Sequence, residues 1–119
     1  RKNVTPGKKT LFVFFATECP HCRVAITEYN AQNKELNNLN VFLITRDLKT
    51  VVDPFLKQCG DKLIVKKNVT VLADEKNQFI GKFLPKKFPA MFLFGINNQL
   101  IIYSDEEKEI PLFIQKIKS

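Results

Sequence analysis

Apolar residues come along this chain in short continuous runs, separated by stretches where they recur every three or four positions. Lys9 to Ala16 (KTLFVFFA) is a segment of strand length, unbrokenly apolar from Leu11 to Ala16, the pattern of a central strand covered on both faces. From Cys19 to about Leu39 the spacing predicts a helix, with Val24, Ala25, Tyr29 and Leu36 on its apolar stripe, Pro20 suited to its first turn and the Asn37–Asn40 stretch ending it. Val41 to Thr45 reads as a second buried strand, and Leu48 to Gln58 as a shorter helix closed by Gly60 in a left-handed cap. A third strand follows at Val69 to Ala73, then a short helix from Glu75 to Phe83 and a proline-bounded loop from Leu84 to Pro89. Ala90–Phe94 and Gln99–Tyr103, joined by a turn at Gly95–Asn98, read as a hairpin. Glu106–Lys118 is an amphipathic closing helix, acidic at its start and basic at its end. The order β-α-β-α-β-α-β-β-α is that of an α/β fold with a central mixed sheet flanked by helices.

Composition narrows this picture. The 119 residues fit one domain, 1–119, and the 45% hydrophobic content excludes a disordered chain. No apolar run approaches the roughly 18 residues of a membrane span, so no membrane insertion is expected of this chain. The start at Arg1, charged and without an initiator Met, is read as either a trimmed chain or a mature form, the second implying a removed targeting signal. The formal charge of +7 invites nucleic acid as a partner, but no nucleic-acid-binding motif accompanies it. Eight Lys against three acids between Lys57 and Lys87 place +5 of the +7 there, a field that can steer an acidic partner. The sequons at Asn3 and Asn68 are read as chance occurrences in an Asn-rich chain.

The chemical signal is Cys19-Pro20-His21-Cys22, set where a buried strand hands over to a helix. Free N–H groups and the positive end of the helix dipole favour a thiolate there, which makes Cys19 the expected exposed nucleophile. Cys22, one turn on, is the expected buried resolver, and a protonated His21 adds positive charge beside the Cys19 sulfur. Glu18 opposes that charge only weakly if exposed. A zinc site needs a second Cys pair, and only Cys59 remains, more usual as a small buried hydrophobe. A four-residue disulfide ring is strained and reducible, a poor staple and a good redox carrier. The alternative from another class is a binding module in which Cys19, His21 and Cys22 hold a copper ion or a client protein.

The segments Phe12–Cys22 (FVFFATECPHC) and Phe88–Phe94 (FPAMFLF) resemble the motif strand and proline loop of the thioredoxin superfamily, over nearly the whole chain. Val69 to Phe94 looks most like the TlpA-like and ResA-like, peroxiredoxin-related branch. The resemblance implies a thioredoxin fold, a cis Phe88–Pro89 peptide facing the cysteines, and thiol–disulfide exchange through Cys19 and Cys22. Substrate would pair with the backbone beside Pro89 and be bordered by Phe88, Lys87, Lys86 and Glu18. No cofactor beyond the redox-active disulfide is implied. The partners implied are protein thiols and disulfides and a recycling redox protein, the chain acting as a monomer in an extracytoplasmic setting, periplasmic or tethered to a membrane and facing the periplasm, with the cytoplasm as the alternative. Departures are informative. Glu18 stands where thioredoxins usually carry Trp, and the superfamily's buried acids fall on Val13 and Ala25, with Glu28 the nearest substitute. The T-x-x-C peroxidatic pattern is absent, since Ala16 precedes Cys19 by three. The Pro-His dipeptide resembles DsbA-type oxidases, without their helical insertion.

Overall fold

A computed structural model describes residues 6–74 and 87–119. The expected helix at Glu75–Phe83, and Lys86, lie outside the described residues. The described strands form one mixed sheet in the order β3-β2-β1-β4-β5. β1 (Lys9–Phe14) is central, parallel to β2 (Leu39–Thr45) with Lys9 opposite Leu39 and Phe14 opposite Ile44. β2 in turn pairs parallel with β3 (Val69–Ala73). On its other side β1 runs antiparallel to β4 (Ala90–Phe94), which pairs with β5 (Leu100–Ser104) as the expected hairpin. The turn between them closes through Asn98, whose N–H reaches Gly95 O (2.9 Å) and whose φ of 64° is one that Asn tolerates.

β1 explains its own burial. Leu11 and Val13 point to one face, Phe12 and Phe14 to the other, and all four are buried. The first face receives α1 (Pro20–Ala31), α2 (Lys49–Cys59) and the C-terminal helix α3 (Ile110–Lys118) in one continuous apolar core. The crossovers β1-α1-β2 and β2-α2-β3 step the same way along the sheet, so their common right-handedness puts both helices on that face. The second face is aromatic, with Phe12 stacked on Phe42 at 5.3 Å and Phe14 edge-on to Phe92 at 5.9 Å.

Four local expectations are corrected. α1 ends at Ala31 rather than near Leu39: Gln32 leaves helical geometry, a single 3₁₀ turn spans Asn33–Leu36, and β2 begins at Leu39. Val24 is 54% exposed, because the buried face of α1 is Cys22, Ala25, Ile26 and Tyr29, and Val24 falls between those positions. Gly60 is not left-handed; its φ is −134°, and its lack of a side chain serves the approach of α1, since a Cβ there would stand 3.1 Å from Ile26 Cγ2. The closing helix starts as a 3₁₀ turn at Glu107–Glu109 and becomes α-helical only at Ile110, where Pro111 suits the first turn. Asn68 has a structural use: its amide donates to Leu36 O (2.7 Å) and Leu39 O (2.9 Å), tying the approach to β3 onto the start of β2.

Candidate active site

The loop from β1 to α1 is pinned to the end of β2. Phe15 N donates to Ile44 O (3.0 Å), and Thr17 N to Asp47 Oδ2 (2.7 Å). Asp47 is itself fixed by its own N–H to Thr45 Oγ1 (3.1 Å). This delivers Cys19 to the N-cap of α1 with extended backbone (φ −101°, ψ 110°). Pro20 takes the first helical position, where a missing N–H costs nothing. The Cys19 sulfur accepts from Cys22 N (3.1 Å), the bond that a Ser or Asp cap makes to the third residue of a helix. The positive end of the α1 dipole is thus directed at this sulfur.

Cys22 is in the opposite environment. It is fully buried, and desolvation, followed by its hydrogen bond with Cys19, pushes its thiol far above the ordinary range. Cys59 is buried at the end of α2, its thiol donating to Phe55 O (3.2 Å) and held up by desolvation. Arg23 lies over the Phe55 ring at 4.9 Å, and Phe55 stacks on Phe15 at 5.7 Å, so α1, α2 and the motif loop share one packed contact.

The proline loop closes the other side. The Phe88–Pro89 peptide is cis, Phe88 is half-buried, and the Cys19 thiol reaches Phe88 O at 3.7 Å. An open cleft of about 500 Å³ runs beside this contact, lined by Phe15, Ala16, Arg46, Asp47, Leu48 and Phe88. Glu18 is exposed, and so is Lys87, which binds Glu106 Oε2 (2.8 Å). That hydrogen bond holds the Lys87 ammonium above its ordinary value. His21 is exposed and turned to the segment before α3, its Nδ1 2.6 Å from Glu107 Oε2. A carboxylate only accepts, so Nδ1 carries the hydrogen, and this bond lowers the Glu107 carboxyl below the usual range. Glu28 is half-buried and accepts from Gln32 Nε2 (2.6 Å), a bond along its own helix.

The structure thus brings Cys19, Pro20, His21, Cys22, Phe88 and Pro89 together, with Lys87 and Glu18 at the rim. It does not assemble the trio named for copper into a ligand set: His21 Nδ1 is engaged by Glu107, and among the described residues no three His, Cys, Asp or Glu are placed to hold a metal ion. Asp47, Glu106 and Glu107 escaped the sequence reading. The acidic run Asp105-Glu106-Glu107 beside a strand end was the available signal for the last two.

Comparison with known proteins agrees with this fold. A secreted disulfide oxidoreductase of Mycobacterium tuberculosis, homologous to Escherichia coli DsbE, superposes with a TM-score of 0.75 at 14% identity, covering 93% of this chain and 83% of that one. StoA from Bacillus subtilis gives 0.71 at 14% identity, over 97% and 85% of the two chains. The bacterioferritin comigratory protein of Xanthomonas campestris, studied for alkyl peroxide reduction, gives 0.75 at 14% identity, over 95% and 80%. These likenesses establish the thioredoxin-like fold. No curated protein sequence matches the chain significantly. Residues 2–105 match the sequence model of the AhpC/TSA family, nearly the whole length, and the chain belongs to the AhpC/TSA family.

Proposed function

We propose that this protein is a thiol–disulfide oxidoreductase working through Cys19 and Cys22, with protein thiols and disulfides as substrates and no bound cofactor. The observation that carries the reading is the Cys19 sulfur at the N-cap of α1, accepting from Cys22 N while the Cys22 thiol stays buried and protonated. The Cys19 thiolate attacks a client disulfide, forming a mixed disulfide and releasing one client thiolate, which takes a proton from solvent. Cys22 then attacks the Cys19 sulfur and its proton passes to the departing client sulfur, releasing the second client thiol and leaving a Cys19–Cys22 disulfide. Two electrons and two protons pass to the client, and a recycling dithiol protein returns them; run backward, the same steps oxidise a client dithiol. Client backbone is received as an added strand beside Pro89, next to the Phe88 cleft.

The setting we propose is extracytoplasmic, supported by likeness to a secreted oxidoreductase. No helix among the described residues is long and apolar enough to cross a membrane. The test is Cys19→Ser: it abolishes reduction of insulin disulfides and oxidation of a dithiol peptide, whereas unchanged rates in both assays overturn the reading. The midpoint potential of the wild-type couple gives the direction, near about −270 mV for a reductase and about −120 mV for an oxidase.

A further inference from the structure

Two adjacent carboxylates in the segment between β5 and α3 reach the cysteine motif and the proline loop. Glu107 accepts from His21 inside the cysteine motif, and Glu106 accepts from Lys87 two residues before Pro89. The segment is anchored. The buried Ser104 hydroxyl accepts from Glu106 N (3.0 Å) and donates to the Glu109 carboxylate, and Glu109 N closes the turn on Glu106 O (3.1 Å). Glu107 is the enclosed partner of its pair, its side chain 22% exposed against 70% for His21, so the fixed acid holds the open imidazole.

Resting on the exchange reading above, we infer that Glu107 is a positioning residue acting through His21. It holds the imidazole at Nδ1 and compensates the imidazolium charge, so that this charge stabilises the Cys19 thiolate less than a free His21 would. A couple whose reduced form is less stabilised is more reducing, so Glu107 moves the potential of the Cys19–Cys22 pair in that direction. Among the described residues, Lys87 on the proline loop bears on Glu107, Glu107 bears on the Cys22 thiol of α1, and Asp105 and Glu106 of Glu107's own segment bear on Lys87.

The experiment equilibrates the full chain with glutathione buffers at about pH 6, where imidazole ordinarily carries charge, and counts trapped thiols. Glu107→Gln removes the charge and keeps an acceptor for Nδ1. It shifts the equilibrium constant toward the reduced protein by twofold to tenfold, about 9 to 30 mV for a two-electron couple. Glu107→Ala shifts it in the same direction. With His21→Ala already in place, Glu107→Gln moves the constant less than twofold, and so does Glu106→Gln in the otherwise wild-type chain. A Glu107→Gln shift under twofold, or one that persists without His21, or an equal shift from Glu106→Gln, overturns the inference while leaving thiol exchange standing. A wild-type pair that never equilibrates with glutathione overturns the exchange reading and this inference together.

Discussion

Cys19 and Cys22 differ by one helical turn and by almost everything else. The first sits half-buried at a helix N-cap with its sulfur accepting a hydrogen bond; the second is sealed beneath it, its thiol held up by desolvation. A thiol with a raised folded value keeps its proton through the range, near about 8.5, where a free one ionises. Iodoacetamide is therefore expected to modify Cys19 on the order of tenfold or more faster than Cys22 or Cys59 at pH 7, and raising the pH to 9 leaves that order intact. Peptide mass spectrometry of the reduced protein reads the ratio, and comparable labelling of Cys22 at pH 7 contradicts its burial. This asymmetry was legible in the sequence, because a Cys-x-x-Cys at a strand-to-helix junction fixes which sulfur caps the helix. The partner of His21 was not. Glu107 lies 86 residues away, and a polar contact of that range leaves no periodicity in either segment.

At the scale of elements, the strands were the most legible features. Continuous apolar runs such as Phe12–Phe15 and Val41–Ile44 admit few structures but a strand buried on both faces. Helix ends were less so, since the arrest of α1 at Gln32 and the conformation of Gly60 depend on what packs nearby. Pro54 marks the same limit from the other side. It stands exposed at the sixth position of Lys49–Cys59, where it withholds an N–H from Thr50 O and crowds that carbonyl, yet the helix continues because Val52, Phe55, Leu56 and Cys59 are buried against the core. A proline inside a free helix costs about 3 kcal/mol, offset in part by the roughly 0.4–1 kcal/mol that its stiffness removes from unfolded-chain entropy. Pro54→Ala is accordingly expected to stabilise the protein by about 1–2 kcal/mol, seen as a higher urea midpoint with an unchanged slope. A lower midpoint would mean that the ring packs usefully against its neighbours.

Across the whole molecule, the site lies where the sheet changes direction. β1 passes to β2 through α1 on one side and pairs with antiparallel β4 on the other, so the loop after β1, the loop after β2 and the proline loop meet at the carboxyl ends of the parallel strands. The excess charge bears on that meeting point. Five of the seven net positive charges fall between Lys57 and Lys87, which on sequence alone aims a basic field at the cysteines. The structure tempers it at close range, because Lys87 is compensated by Glu106 and His21 by Glu107. Among the described residues of that stretch, the exposed Lys57, Lys62 and Lys67 make no ion pair in the structure and contribute a field that acts on encounter rather than on the bound client. Such a field is screened once the Debye length falls from about 30 Å at 0.01 M salt to about 8 Å at 0.15 M. The second-order rate of exchange with an acidic disulfide peptide is therefore expected to fall by about two- to fivefold over that range, while a basic peptide of the same length speeds up or stays level. Stopped-flow measurement of both peptides decides the matter: equal salt dependence for the two would assign the lysines to solubility alone.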